Sequence, residues 1–166
     1  MVKIKTILAG VLVLIIAVLA VLYFSGSEEK KVRKQFHLLS EWVSKDPDEK
    51  VFTMAHKVQS IGTLFAEACE FKAPIVSLSG SYTPEEISSY AAQGRAYFSK
   101  LSLRFYDLEI DFPEEGVAKA ILTAKLTGTS KAGEHVDEIQ EFECALQKIE
   151  DRWLFRSFEV VEVLKR

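Results

Sequence analysis

The apolar residues of the chain form one unbroken N-terminal run and then recur at helical or strand spacing. Residues 7–24, ILAGVLVLIIAVLAVLYF, carry no charged side chain. As an α-helix they would extend about 27 Å, which is close to the thickness of the hydrocarbon layer of a bilayer. This run predicts a transmembrane helix that contacts membrane lipid through residues 7–24.

A cleaved signal peptide is the alternative reading of the same run. The run is longer than the usual h-region of about 7–15 residues, and no A-x-A-like cleavage site follows Phe24. We therefore predict an uncleaved anchor in residues 1–26 and a single domain in residues 27–166. The count of Lys and Arg on the two sides does not favour an N-inside orientation. Short N-terminal anchors are usually signal anchors, so we expect the domain to be exported to the periplasm or the cell exterior.

Three further helices are predicted after a flexible joint at residues 25–27. The first has an apolar face, with Val32, Phe36 and Leu39 three or four residues apart, and ends near Lys45. The second begins with Asp46 as N-cap and Pro47 at the first helical position, and ends at Gly62.

The third helix has the clearest start signal, a capping box in residues 83–86 with Pro84 at the first helical position. Its spacing predicts a buried face that includes Ile87, Tyr90, Gly94 and Tyr97, and we expect Gly94 to pack closely on a sheet.

The remaining segments alternate like strands. Residues 63–74 predict one strand, and residues 75–81 predict a loop or a short edge strand. Residues 101–112, 117–130 and 135–149 and the closing segment from Trp153 predict four long strands. Their connections are short, so we expect an antiparallel meander that bends and has a concave face. The closing segment is so apolar that we expect it at the centre of the sheet, covered by helices.

This order of elements, ending in DRWLFRSFEVVEV at residues 151–163, resembles the nuclear-transport-factor-2-like (NTF2-like) superfamily. Scytalone dehydratase, ketosteroid isomerase and the SnoaL-like cyclases share its cone-shaped α+β fold, and the resemblance covers about residues 29–165. It implies an α+β domain of three helices packed on a curved antiparallel sheet, with a pocket at the wide end of the cone. Enzymes of the superfamily place acids, a tyrosine or a histidine in that pocket. No catalytic residue of the superfamily aligns with this chain, so the catalytic residues are unknown.

Charge and polar residues narrow the choice of function. The net charge is −3 and the charges of both signs are interspersed, which does not indicate nucleic-acid binding. None of the three histidines stands at a metal-ligand spacing, so we predict no metal site and no cofactor. The acids Asp107, Glu109 and Asp111 alternate with an apolar set that begins at Tyr106, and we expect these acids to face solvent.

The two cysteines, Cys69 and Cys144, allow two interpretations. In an exported domain they could form a disulfide, whereas apolar neighbours on both strands favour buried free thiols. We favour the free thiols.

The aromatic side chains either fill the core or line the pocket. The candidates for pocket residues are Phe71, Tyr90, Tyr97, Phe105, Tyr106 and Trp153. We interpret the protein as a membrane-anchored, non-enzymatic binding or assembly module for a partner protein, a second copy of the chain or a small apolar ligand. The alternative is an isomerase, dehydratase or hydrolase that works on a small molecule in the pocket.

Overall fold

The chain folds into three helices and a six-stranded sheet over the part that the computed structural model describes, residues 2–73 and 78–161. In chain order the elements are α1 (Val2–Val43), α2 (Val51–Gly62), β1 (Phe65–Ala73), β2 (Leu78–Tyr82), α3 (Pro84–Tyr97), β3 (Phe98–Glu114), β4 (Val117–Ser130), β5 (His135–Ile149) and β6 (Arg152–Val160). The predicted α+β class is confirmed. Residues 74–77 and 162–163, included in the predictions for these segments, lie outside the described residues.

The sheet has the strand order β2-β1-β6-β5-β4-β3 and is mixed. Four of its strand pairs are antiparallel, but β1 pairs with β6 in parallel, with Phe71 opposite Phe158. The prediction of a wholly antiparallel sheet is therefore wrong. β1 precedes the meander of β3 to β6 in the chain and runs in the same direction as β6, with which it pairs. The central position predicted for the closing strand is confirmed, since β6 lies between β1 and β5.

α1 joins the apolar N-terminal run to the folded domain without a break. The helix continues through residues 25–27, so the flexible joint predicted there is wrong. Its most apolar 18-residue window has a mean hydropathy of 2.4 and none of it is buried, so α1 is long and apolar enough to cross a membrane. Further along the same helix, Val32, Phe36 and Leu39 are buried in the core of the domain.

α2 begins four residues later than we predicted, with Lys50 and not Asp46 as its N-cap. Asp46 and Pro47 belong to a turn, in which the Glu49 N–H donates to the Asp46 carbonyl at 3.2 Å, and the helix starts at Val51 after Lys50. The reason is that the Glu49 side chain is drawn inward to pair with Arg95 and Lys57. The predicted end of α2 at Gly62 is confirmed.

α3 starts as predicted but buries a different face. Thr83 and Glu86 form the capping box, and Pro84 occupies the first turn. Tyr90 and Tyr97 are 57 % and 54 % exposed, so their predicted burial is wrong. The residues of α3 that are buried are Ile87 and Arg95.

The glycine of α3 does not have the role that we predicted. A Cβ built on Gly94 would meet nothing within 4 Å, so this glycine does not pack closely on the sheet. The close contact of α3 is with α2 instead. A Cβ built on Gly62 of α2 would lie 2.9 Å from the carbonyl oxygen of Pro84 in α3.

The C-terminal half of α1 covers the free edge of β3. The backbones of Lys45 and Leu101 exchange hydrogen bonds of 2.7 and 3.0 Å. The Ser40 hydroxyl donates to the Leu103 carbonyl at 2.6 Å, and the Ser44 hydroxyl accepts from the Leu103 N–H at 3.0 Å. Arg33 donates to the Leu108 carbonyl at 3.1 Å. These bonds satisfy backbone groups that would otherwise be open to pairing with another strand.

Aromatic rings and small apolar side chains fill the space between the helices and the sheet. Phe36 of α1 makes edge-to-face contacts with Phe105 and Phe155, with ring centroids 5.5 and 5.0 Å apart. On β4 the alternating residues Ala118, Ala120, Leu122 and Ala124 are all buried, and Leu126 on the same face is half-buried.

The two cysteines lie on strands that are not adjacent. Cys69 is on β1 and Cys144 is on β5, with β6 between them, and both are buried free thiols. Two strand spacings separate their backbones by about 10 Å, which is more than a disulfide spans. Burial raises the pKa of Cys69 to about 12 and raises that of Cys144 well above its ordinary value. The free-thiol interpretation is confirmed.

Candidate functional site

A surface groove of about 300 Å³ runs along α1 beside the start of β6. We call it the α1 groove. Its lining residues come from three segments of the chain: Lys31, Lys34, Gln35, Leu38 and Trp42 of α1, Thr63 and Leu64 after α2, and Asp151, Arg152, Trp153 and Leu154 at the β5–β6 turn. Its volume is at the lower end of the range for small-molecule sites in proteins.

The groove changes from charged to apolar along its length. Lys31 lies next to Asp151 at the end that is nearer the apolar run, with their charged atoms 3.8 Å apart. Leu38, Trp42 and Leu64 line the other end. The site could therefore accept a molecule with an anionic head and an apolar tail.

Two basic side chains of the groove have no partner within the described part of the chain. Lys34 and Arg152 form no ion pair or side-chain hydrogen bond there, whereas Lys31 pairs with Glu28 at 2.9 Å. With the single acid Asp151, the three basic residues give the lining a net charge of +2. An anion near Lys34 and Arg152 would thus be attracted without displacing an existing partner.

Glu28 fixes the position of the charged end. It accepts a hydrogen bond from the Trp153 ring nitrogen at 2.7 Å and forms ion pairs with Lys31 and Lys148 at 2.9 and 3.1 Å. Burial raises the pKa of this carboxyl, but hydrogen bonds from Lys31, Trp153 and Lys148 outweigh it, so the pKa lies below its ordinary value. Glu28 therefore stays ionised at neutral pH and holds the β5–β6 turn against α1.

A second, larger opening of about 1100 Å³ lies on the other side of β6, between α2, α3 and the start of β1. Leu154, Ile149 and Phe65 are among its apolar residues, and Arg152, Arg156, Glu67 and Glu85 are the charged ones. Acidic and basic side chains are balanced there, so its electrostatics select no class of ligand.

The structure does not gather the six predicted pocket residues around one opening. Trp153 is 2 % exposed and lines the α1 groove. Phe71 stacks on Phe158 with ring centroids 5.5 Å apart, and Phe105 packs against Phe36. None of the other five lines either of the two openings described above. A role for these residues in ligand binding stays a prediction.

The three tyrosines among the six lie at the surface. Tyr90 makes an edge-to-face contact with Tyr82, and the Tyr97 hydroxyl donates to Glu134 at 2.7 Å. Tyr106 is 44 % exposed, although we placed it in the same apolar set as Leu108. A β-bulge at Asp107, which has a φ of 53°, shifts the alternation by one residue and turns Tyr106 outward.

The acids of β3 take the orientation that we predicted. Asp107, Glu109 and Asp111 are all exposed, so they lie on the outer side of the sheet. Among the residues that the structure describes, no group of three or more His, Cys, Asp and Glu side chains could hold a metal ion.

Solved structures with the same architecture identify the fold. A candidate scytalone dehydratase from Novosphingobium aromaticivorans superposes with a TM-score of 0.67 at 16 % identity, covering 84 % of this chain and 87 % of its own. A candidate dehydratase of the NTF2-like family from Streptomyces avermitilis gives 0.65 at 12 % identity, covering 84 % and 99 %. The protein has the NTF2-like fold.

A solved structure other than the dehydratases has the same architecture. A candidate calcium/calmodulin-dependent protein kinase II association domain from Xanthomonas campestris gives a TM-score of 0.56 at 12 % identity, covering 81 % of this chain and 84 % of its own. No family model and no curated protein matches the sequence. At these identities the likeness establishes the NTF2-like fold alone.

Most residues of the α1 groove were not predicted from the sequence. Lys31 and Lys34 belong to the basic stretch that follows the apolar run, and Leu38 and Trp42 continue the stripe that begins at Lys31 with spacings of three or four residues. That stripe was the available signal on α1. The contribution of the β5–β6 turn depends on how the NTF2-like sheet folds back on α1, which no local pattern encodes.

Proposed function

We propose that the protein is a membrane-anchored, non-enzymatic binding module whose NTF2-like domain holds a partner protein or a small apolar ligand at the cell envelope. The dual role of α1 is the observation that supports this most directly. Its N-terminal part is apolar enough to span a bilayer, and its C-terminal part supplies Val32, Phe36 and Leu39 to the core. A domain built on its own anchor is held at a fixed distance from the membrane surface.

The arrangement of the domain also supports a binding role. The interior of the cone is filled by side chains such as Phe36, Phe155 and Leu122, which are 1 %, 0 % and 1 % exposed. The α1 groove, by contrast, is open to solvent and combines an apolar floor with unpaired basic groups. Such a surface suits recognition of an amphiphilic partner or ligand.

Anchoring is tested by placing charge in the middle of the apolar run. We expect the native chain to stay in the membrane fraction after alkaline carbonate washing. Leu14→Arg combined with Ile15→Arg should release it, because each arginine at the centre of a span costs about 2.5–3.5 kcal/mol. Leu14→Ala combined with Ile15→Ala is the matched control and should stay with the membrane. Recovery of the native chain in the wash would overturn the anchor.

Binding is tested on the full chain purified from its native membrane in a mild detergent. We expect a defined lipid, small molecule or protein to accompany it in stoichiometric amount, as measured by native mass spectrometry. Its amount should fall in the variant Lys34→Gln with Arg152→Gln. A chain that is repeatedly recovered empty and monomeric would contradict the binding role.

A second candidate function is that of an isomerase, dehydratase or hydrolase acting on a small molecule, and the likeness to two candidate dehydratases favours it. Such chemistry needs an acid or base in contact with the bound substrate. Asp151 is the acid that lines the α1 groove. Turnover of a ring compound by the purified chain that is lost in Asp151→Asn at unchanged thermal stability would replace the non-enzymatic proposal.

A further inference from the structure

We propose that the α1 groove binds one acyl chain and the headgroup of an anionic phospholipid from the bilayer in which α1 is anchored. The inference rests on the proposed anchoring and names the ligand class of the binding module. It requires a groove that begins at the membrane surface, has a basic entrance and is apolar beyond it.

The position of the groove relative to the bilayer follows from the continuity of α1. Lys31 is seven residues past Phe24, so the helical rise places it about 10 Å beyond the end of the apolar run. This is the depth at which phospholipid headgroups lie, because the polar layers of a bilayer extend beyond its hydrocarbon core. Trp42 lies 18 residues past Phe24, about 27 Å from the hydrocarbon boundary.

The charged residues of the groove are placed to bind a headgroup that remains at the membrane surface. Arg152 is next to Asp151, which lies 3.8 Å from Lys31, and Lys34 is one helical turn beyond Lys31. Lys34 and Arg152 have no partner within the described part of the chain, so a phosphate could be bound by both. A basic residue near an anionic lipid surface strengthens binding by a factor of about five.

The apolar part of the groove then continues away from the membrane. Trp153 packs near Glu28, whereas Leu154 and Leu64 lie farther along α1, where the Leu64 carbonyl accepts a hydrogen bond from the Phe155 N–H at 2.8 Å. Leu38 and Trp42 form the far end. An acyl chain that moves from the bilayer into this groove exchanges one apolar environment for another, so the contacts of the headgroup decide the affinity.

The two tryptophans of the chain, Trp42 and Trp153, both line the groove and supply a direct readout. Bromine atoms on an acyl chain quench tryptophan fluorescence on contact. Trp153 lies near the end of α1 that we place at the membrane surface, so the test uses Trp153→Phe, which leaves Trp42 as the only tryptophan. The phenylalanine keeps an aromatic ring at this position, and the ion pairs of Glu28 with Lys31 and Lys148 still hold the β5–β6 turn against α1. Bromines within the bilayer cannot reach Trp42, and quenching therefore requires a chain that has entered the groove.

The experiment reconstitutes the full-length Trp153→Phe protein in nanodiscs with dibromostearoyl phosphatidylglycerol or dibromostearoyl phosphatidylcholine. We expect quenching of Trp42 by the phosphatidylglycerol and much less by the phosphatidylcholine. Lys34→Gln with Arg152→Gln should require about 25-fold more brominated phosphatidylglycerol for the same quenching, because two favourable charges are removed. Lys100→Gln with Lys119→Gln, two exposed lysines outside the groove, is the matched control and should not change the titration.

Every result other than the expected one overturns a defined part of the proposal. Absence of quenching in nanodiscs that contain the inserted protein would overturn the inference and leave the anchor intact. Equal quenching by the two lipids would overturn the anionic headgroup. Quenching by free dibromostearate alone would assign the groove to a fatty acid instead of a phospholipid. A chain that does not insert would remove the proposed function and this inference together.

Discussion

Arg95 is the charged side chain on which the packing of the three helices depends. It is 1 % exposed and donates to the carbonyls of Trp42, Val43 and Ser44, at 2.6, 2.8 and 2.8 Å, where α1 ends. It also pairs with Glu49, which in turn pairs with Lys57 of α2 at 2.9 Å. The guanidinium thus satisfies helix-end carbonyls that have no partner within α1, and its charge is favourable at that end of the helix dipole.

Replacing Arg95 should therefore destabilise the fold, although a buried ion pair is not in itself strongly stabilising. We expect Arg95→Met to lower the free energy of unfolding by about 3–5 kcal/mol, because it leaves the Glu49 carboxylate buried without its partner. Urea unfolding of the full chain in mild detergent, followed by near-UV circular dichroism, measures this loss. Arg104→Met is the control at an exposed arginine and should have little effect.

A double variant separates the lost ion pair from the lost packing. Adding Glu49→Gln to Arg95→Met should recover part of the stability, because a neutral amide is less costly to bury than a carboxylate. If Arg95→Met alone were as stable as the native chain, the structural role of Arg95 would be wrong.

The loss of folding stability at acid pH should depend on the protonation of Glu49. Burial raises the pKa of this carboxyl, but hydrogen bonds and charges from Lys57 and Arg95 outweigh it, so the folded pKa lies below the ordinary value of 4.5. The unfolded chain then binds more protons than the folded chain at acid pH. Stability from this group is complete above the ordinary pKa and is lost as the pH falls through the folded pKa.

We therefore expect the urea midpoint to stay constant from neutral pH to about pH 5 and to fall as the pH decreases further. Glu49→Gln should start from a lower midpoint and show a shallower fall, whereas Asp48→Asn, at an exposed acid one residue earlier, should follow the native curve. A native midpoint that rises as the pH falls would contradict the assigned direction.

At the free edge of β3, two hydroxyl groups of α1 protect the backbone from solvent and from pairing with another strand. Ser40 and Ser44 of α1 bond the carbonyl and the N–H of Leu103. Ser40→Ala with Ser44→Ala should destabilise the protein by about 1–2 kcal/mol, because both backbone groups of Leu103 lose their partners. Hydrogen exchange at the Leu103 amide should accelerate more than exchange at Leu122 in the sheet interior. Ser81→Ala at the exposed β2 edge is the control, and unchanged exchange at Leu103 in the double variant would refute the edge contact.

Elements whose signals are local could be predicted closely from the sequence. The boundaries of β4 and β5 and the capping box of α3 agree with the structure because alternation and capping depend on neighbouring residues. The parallel pairing of β1 with β6 could not be predicted in this way, since it joins segments that are far apart in the chain. The bulge at Asp107 likewise moved Tyr106 to the other face although the alternation of residue types was unbroken.

The burial of Arg95 and the position of the α1 groove could not be predicted from the sequence, for two different reasons. Arg95 lies four residues after Ala91 and eight after Ile87, so it shares the helix face of Ile87, but the buried face that we predicted did not include it, and an arginine is seldom fully buried. The groove depends on the tertiary contact between α1 and the β5–β6 turn. Glu28 makes that contact through Trp153, a residue that is 125 positions away in the chain.

The whole molecule is organised around one helix that serves both as candidate membrane span and as core element. α1 carries the apolar run, lines the groove, covers the edge of β3 and ends on Arg95. Because the helix is unbroken between these parts, the β5–β6 turn lies at the end of the domain that is nearer the apolar run. The turn between β4 and β5, which contains Lys131, contacts the last residue of α3 and lies at the far end.

The orientation of the chain in the membrane can be tested with a single new cysteine. Both native cysteines are buried and their thiol pKa values are raised, so the native chain should not react with a membrane-impermeant maleimide. Lys131→Cys places a thiol at an exposed turn at the end of the domain that is far from the apolar run. If the domain is exported, intact cells or spheroplasts should label this variant as fully as permeabilised ones do. Labelling only after permeabilisation would place the NTF2-like domain in the cytoplasm and contradict the signal-anchor orientation, while labelling of the native chain would show that Cys69 or Cys144 is less protected than the structure indicates.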